Sequence, residues 1–330
     1  MKRNILFSIL AVAAFLAGFP LFAVNTNDTR LMHQPAISLT HIAFVYANDL
    51  WVANADGSNA RRITSDAGVE SNPYFSPDGK LIAFSAEYDG NTDVFTIPVE
   101  GGIPQRLTWH PSADMVRGFT PDGKAVLFAS SREDFSNRYT QLFTVGLVGG
   151  FPSKLVIPNG FQATYSPDGK QMAYTPIPPR FQQWKNYRGG TVSNIWVFNF
   201  DNFETVKIPM AENRSNDWNP MWTGSNIYFL SDRNGEFNLF SYNVTSKQVA
   251  QLTQYNDFPI NSANKGGNNI IFEQAGKLHI FNTINGTTKT LQLAIAAELT
   301  ELRTRYVKGV QNIRSAHISP TGSRAVFGFR

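Results

Sequence analysis

The sequence predicts an all-β fold, a six-bladed β-propeller of four-stranded blades. Three observations predict it: a turn motif that recurs at a near-constant step, a set of short strands that recurs with it, and a composition suited to strands and turns. The turn Ser76-Pro77-Asp78-Gly79-Lys80 returns as Thr120-Pro121-Asp122-Gly123-Lys124 and as Ser166-Pro167-Asp168-Gly169-Lys170, its aspartates 44 and 46 residues apart. A weaker copy, Ser319-Pro320-Thr321-Gly322, lies near the end. Proline presets φ, aspartate bonds the backbone two residues on, and glycine tolerates positive φ, so each copy is a turn with a mechanism.

A strand ending on an aromatic follows each turn: Ile82-Ala83-Phe84, Val126-Leu127-Phe128 and Met172-Ala173-Tyr174. The same strand stands without its turn as Ile42-Ala43-Phe44, Ile227-Tyr228-Phe229 and Ile270-Ile271-Phe272. A third strand of polar, aliphatic, aromatic form comes next, as Asp49-Leu50-Trp51, Asp93-Val94-Phe95, Gln141-Leu142-Phe143, Asn194-Ile195-Trp196, Asn238-Leu239-Phe240 and, with histidine for the aromatic, Lys277-Leu278-His279. Closing strands follow around Ile63, Leu107, Leu155, Ile208, Leu252 and Leu291. Four short strands every ~40–45 residues is a blade signature. Six copies fit between 36 and 293, one closed ring; the competing reading is a β-sandwich with repeated hairpins, which the regular period disfavours. With 26 Phe, 25 Gly and 18 Pro against 16% charged residues, composition favours short strands joined by turns.

The remaining boundaries follow. Residues 1–23 read as a secretory signal: Lys2-Arg3, an apolar stretch over 5–19, and Leu21-Phe22-Ala23 before polar Asn25-Thr26-Asn27-Asp28. That stretch is short against the ~20 residues of a span, so a cleaved leader is expected over a retained anchor, with a periplasmic or extracellular destination. Residues 24–35 are then an N-terminal linker. Beyond the ring, 294–312 read as a connector, and 313–330 repeat the first two strands of a blade without the rest. They are expected to open a second, truncated propeller with a sticky or disordered end; the alternative is a seventh blade completed by N-terminal residues. With no cysteine, stability must come from a packed core. The formal charge of +4 falls to about +2 once Lys2 and Arg3 leave, too weak to argue for nucleic acid.

Candidate sites are few. Between the second and third strands of blade 4, residues 176–192 form an insertion holding Arg180, Phe181, Trp184, Lys185, Tyr187 and Arg188. Aromatics beside cations can hold an extended peptide by stacking and carboxylate pairing; the alternative is packing against a neighbouring domain. Two loops, Asp89-Gly90-Asn91-Thr92-Asp93 and Asp232-Arg233-Asn234-Gly235-Glu236, have acidic oxygens at the spacing that opens a calcium loop, but the twelfth-position glutamate has no counterpart. No Gly-x-Ser-x-Gly or His-Glu-x-x-His occurs, and the five histidines are scattered, His110 being the one worth testing for catalysis. Arg61-Arg62 reads as a strand end. No catalytic residue, metal or cofactor site is expected.

Other runs carry a family resemblance. Ile42-Ala43-Phe44-Val45-Tyr46 with Asp49-Leu50-Trp51-Val52, Gly68-Val69-Glu70-Ser71-Asn72-Pro73, and above all Trp184-Lys185-Asn186-Tyr187-Arg188-Gly189-Gly190 leading into Asn194-Ile195-Trp196 resemble the first propeller of the tricorn protease family. The resemblance implies a long serine peptidase in which a six-bladed propeller precedes a seven-bladed one, a PDZ module and catalytic domains. It implies WD40/TolB-like blades, a propeller that binds or channels peptides, and catalytic serine and histidine beyond the residues given. In an archaeal relative, paired arginines after the second blade grip the peptide carboxylate; residues 109–117 here offer one, Arg117. The expected role is therefore a non-catalytic peptide-binding or gating propeller of an exported serine peptidase. Its partners would be peptides or unfolded polypeptide, other domains of a longer chain, or further copies of itself, without nucleic acid. The competing role is a stand-alone periplasmic interaction propeller similar to TolB, with the propeller cap of an amidohydrolase or a prolyl-oligopeptidase-like enzyme third.

Overall fold

A computed structural model describes residues 28–136, 138–295, 304, 306 and 308–329. The leader, residues 24–27 of the linker and 296–303 of the connector lie outside them. Six antiparallel sheets of four consecutive strands form the blades. Their innermost strands, blades 1 to 6, are His33–Ile37, Glu70–Phe75, Asp114–Phe119, Gln162–Tyr165, Asp217–Thr223 and Ile260–Gly266. The first begins three residues ahead of the expected start at Ala36. In blade 4 the third strand is Trp196–Asn199, two residues later than its pattern suggested, because the insertion still shapes the chain at Asn194.

The Pro-Asp-Gly turns join first to second strands and work by the expected chemistry. Ser76 Oγ donates to Asp78 Oδ1 at 2.6 Å, the same oxygen accepts from the Lys80 N–H, and Gly79 takes φ +73°. Residues 120–124 and 166–170 repeat this set. The bond from Ser76, with that from the Lys80 amide, holds the Asp78 carboxyl below its ordinary range.

The core lies between blades. Each second strand sits in mid-sheet with both faces covered by neighbouring blades, so it reads as a continuous apolar run rather than an alternation. Ile42, Ala43, Phe44 and Val45 are all fully buried. Ala43, Leu50 and Val52 of blade 1 pack on Ile82, Phe84 and Ile97 of blade 2. Four further clusters join blades 2 to 3, 3 to 4, 4 to 5 and 5 to 6 in the same way. Within blades, the aromatics of second and third strands stack, as Phe84 on Phe95, Phe128 on Phe143 and Phe229 on Phe240. His279 occupies this place in blade 6 and stacks on Phe272 at 5.2 Å.

No strand is shared between blades among the described residues. Blade 6 meets blade 1 along the first strand itself and through the segment ahead of it. Leu31 N–H donates to the Gly276 carbonyl at 2.8 Å, Thr29 N–H to that of Leu293 at 3.0 Å, and Asp28 pairs with Lys277 at 2.9 Å. Residues expected to be linker thus belong to the ring closure. Separately, Ile313–Ile318 and Ala325–Phe329 form a two-stranded hairpin around the Ser319 turn, with Val326 and Phe327 exposed. These strands pair only with each other among the described residues, and the first blade is complete without them.

Gly123 sits at φ +70° between Pro77 of one turn and its own blade, so Gly123→Ala should lower stability by about 1–2 kcal/mol. Gly190→Ala, where φ is outside the left-handed region and nothing crowds a Cβ, should change it by less than about 0.5 kcal/mol. Urea unfolding midpoints of the two variants check this.

Candidate functional site

The innermost strands line a central channel, and five of the six break their pairing register on the way through it. Three breaks fall on a polar residue followed by proline: Gln34-Pro35, Asn72-Pro73 and Asn219-Pro220. Proline has no N–H to give the ladder, so a bulge forms there. The residue ahead of each proline takes positive φ, +49°, +52° and +54°. This turns its polar groups out of its own sheet and toward the next blade.

A closed circuit of hydrogen bonds results. Asn72 N–H donates to Gln34 Oε1 (2.7 Å), joining blades 1 and 2, and Arg117 Nη1 donates to Asn72 Oδ1 (3.0 Å), joining 2 and 3. Arg117 Nε reaches the Phe161 carbonyl in blade 4 at 2.5 Å. Asn219 N–H donates to Gln162 Oε1 (2.7 Å), joining blades 4 and 5, and its side-chain amide donates to the Ala263 carbonyl in blade 6 (2.8 Å). Gln34 N–H donates to Glu273 Oε2 (2.7 Å) and completes the ring. Asn264 Nδ2 adds a chord from blade 6 to the Pro73 carbonyl of blade 2 at 3.3 Å.

This girdle is the waist of the channel. On the side of the Pro-Asp-Gly turns lies a cavity of about 460 Å³, and on the other side one of about 490 Å³. Tyr74, Arg117, Gln162, Asn219, Ala263 and Asn264 line both. Two cations project here with no carboxylate paired to either among the described residues. Arg117 is 5% exposed, its guanidinium 4.7 Å from the Phe161 ring centroid. Burial lowers its pKa, but a guanidinium stays charged in proteins. Lys265, in the first cavity, donates to the Trp222 carbonyl, and burial pulls its amine down to about 8. Trp218 lines the second cavity, and its indole N–H, buried in the wall, has no acceptor among the described residues.

The blade 4 insertion is a strap laid onto blade 5. Phe181 packs against Trp218 (5.2 Å) and Phe237 (4.6 Å). Arg188 pairs with buried Asp232 at 2.7 Å and Lys185 with Glu236 at 2.6 Å. Asn216 donates to the Tyr187 carbonyl, and Tyr187 O–H bonds Thr191. Phe181, Lys185 and Arg188 are therefore engaged within the fold. Trp184 is 59% exposed beside Tyr187, Arg180 has no ion pair among the described residues, and Gln182 reaches the second cavity. Of the strap, Gln182 lines the second cavity together with Arg117, whereas Arg180, Phe181, Trp184, Lys185, Tyr187 and Arg188 line neither cavity. Sequence reading missed Gln34, Asn72, Asn219 and Lys265; the polar-Pro dipeptide recurring in first strands was the available signal for three of them.

The remaining residues resolve into structure. Asp89 and Asp93 both bind Arg106, at 2.8 and 2.6 Å, so the oxygens of that loop face a protein cation. Asp232 is taken by Arg188 and the Asn216 N–H. His110 Nδ1 accepts from the Ser112 N–H, which ties its own loop. Arg61 holds the Val99 carbonyl and Arg62 holds Asp49.

A six-bladed ring with a cationic channel and a strap at one mouth defines a channel-bearing propeller domain. The chain belongs to the tricorn protease N-terminal beta propeller domain family, whose model matches residues 29–287. It is 29% identical over 276 residues to Tricorn protease homolog 1 of Streptomyces coelicolor, covering 83% of this chain and 26% of that one. Tricorn protease of Thermoplasma acidophilum is also 29% identical, over 262 residues, 77% of this chain and 24% of that one. The crystal structure of the tricorn protease superposes with a TM-score of 0.72 at 24% identity, over 82% of this chain and 27% of that one. The chain thus spans about a quarter of the length of these relatives. A TolB homolog of Chlorobium luteolum matches 28% of the chain, at 30% identity.

Arg188→Ala strips a buried carboxylate of its cation and should cost about 1–3 kcal/mol. Lys185→Ala breaks a pair whose lysine is 70% exposed and should cost under about 1 kcal/mol. Urea unfolding of both, with limited proteolysis across 180–190 cutting only the first variant faster, tests whether the strap is held from Asp232.

Proposed function

We propose that this propeller is the non-catalytic peptide-handling part of a tricorn-like serine peptidase, binding peptides in its channel and gating their passage while other parts of a longer polypeptide perform hydrolysis. The observation that carries the reading is the pair of uncompensated cations, Arg117 and Lys265, in the channel wall. A buried charge without a counter-ion is costly, and a ligand carboxylate relieves that cost. Trp184, Tyr187 and Arg180 on the strap offer stacking and charge at the mouth, with Phe181, Lys185 and Arg188 holding the strap in place. The family match covers most of the chain, whereas the TolB match covers little over a quarter, which favours this reading over a stand-alone TolB-like propeller. Export follows from the leader-like residues 1–23, with a periplasmic or extracellular destination.

Fluorescence anisotropy with a labelled, unstructured octapeptide is the test. A free C-terminal carboxylate should bind at least about tenfold more tightly than its amide, as expected for one charge-assisted bond. Lys265→Gln should erase most of that difference, and Trp184→Ala should weaken both peptides together. No saturable binding, or equal affinity for acid and amide, would overturn the reading.

A further inference from the structure

Three innermost strands begin with a buried acid, and two of those acids have an arginine. In blade 3, Asp114 stands opposite Ser130 and pairs with Arg132 at 2.5 Å. Arg132 lies over Phe128 and Phe143, 5.0 and 5.1 Å from their centroids. Blade 5 repeats the arrangement: Asp217 stands opposite Ser231, whose hydroxyl donates at 2.6 Å, and pairs with Arg233 at 2.9 Å. Arg233 lies over Phe229 and Phe240. Burial pushes both aspartates up, and the guanidinium opposes it in each.

Blade 2 keeps the register and the stacked phenylalanines, Phe84 and Phe95, but changes the donors. Glu70 stands opposite Ala86 where the others have serine, and Tyr88 takes the arginine's place, its ring 4.9 Å from that of Phe95. Glu70 is fully buried. Tyr88 O–H donates to its Oε1 at 2.6 Å, and Oε2 has no partner among the described residues. Its own N–H donates to the Asn48 carbonyl of blade 1, so the residue sits on the seam between blades 1 and 2. The charged groups facing it are Asp49 from the third strand of blade 1, Asp66 from the connecting loop and, through Asp49, Arg62 at 3.1 Å. Both neighbouring acids oppose ionisation of Glu70.

We propose that Glu70 is a proton-operated latch on the seam between blades 1 and 2, closed when the carboxyl is neutral and loosened when it ionises. The proton is exchanged with solvent. Burial first, then the nearby aspartates, raises the carboxyl from 4.5 to about 7, against the bond from Tyr88. The sign follows from that direction. An acid raised on folding stabilises the closed seam fully below 4.5, and the contribution is lost as pH climbs to about 7. Asn72 lies two residues along the same strand and carries the girdle bond to Gln34, so the latch acts on the blade 1–2 link at the channel waist. This inference stands whether or not the channel takes peptides.

Hydrogen exchange on the full chain from pH 5 to 8.5, corrected for intrinsic rates, tests it. Amides of 70–75 should lose protection by up to about tenfold per pH unit below 7 and level off above, as one raised carboxyl dictates. Amides of 162–165, the innermost strand of blade 4, which carries no acid, serve as the internal reference and should not share this dependence. Glu70→Gln should hold 70–75 protected at every pH, and Ala86→Ser with Tyr88→Arg, which rebuilds the blade 3 set, should flatten the profile. A carboxyl titrating near neutrality in the carbon NMR spectrum of the unaltered chain, absent from Glu70→Gln, supports the latch should the double variant fold poorly. No carboxyl titrating above pH 6, or an unchanged profile in Glu70→Gln, overturns it.

Discussion

The girdle of bulged residues around the channel is the constraint on which the rest depends. A propeller whose blades share no strand must close by contacts alone, and apolar slabs between sheets are non-directional. The bonds made by Gln34, Asn72, Arg117, Gln162, Asn219 and Glu273, with the carbonyls of Phe161 and Ala263, are directional and join every neighbouring pair of blades, so they fix how blades sit on one another. They also set the width of the waist. The bulges at Gln34, Asn72, Arg117 and Asn219 break the ladder of their own blade and supply bonds across a seam.

Charge is distributed unevenly through this frame. Asp114 and Asp217 are matched by arginines that also cover phenylalanine rings, so those acids are structural. Among the described residues Arg117 and Lys265 have no such match, and neither does Glu70. Among the described residues, these two buried cations and this buried acid lack counter-ions, and there the fold leaves electrostatic work undone. They lie along the channel wall and at a blade seam leading to it.

Much of the fold was legible in the sequence because its signals are local. The Pro-Asp-Gly turns, the apolar second strands and the aromatic third strands each follow from backbone geometry or two-sided burial, and their spacing gives the blade count. His279 in an aromatic place was readable for the same reason. The site was less legible. Arg117 and the strap stood out by residue type, but Lys265 looks like any surface lysine until the ring curls its strand inward. That Phe181, Lys185 and Arg188 serve blade 5 depends on Trp218, Phe237, Asp232 and Glu236, residues 37 to 56 positions away whose proximity only folding creates.

The sequence by itself determined the repeat, the four strands of each blade and the turns between them, since these depend on φ preferences and on neighbours within one hairpin. Tertiary structure alone decided which charges are paired. Ala86 and Tyr88 are unremarkable substitutions in a strand, yet they leave Glu70 without the donors its counterparts have, because three blades must first be superposed to show what is missing. Burial and pairing are properties of seams between blades, and a seam brings together residues that sequence separation keeps apart.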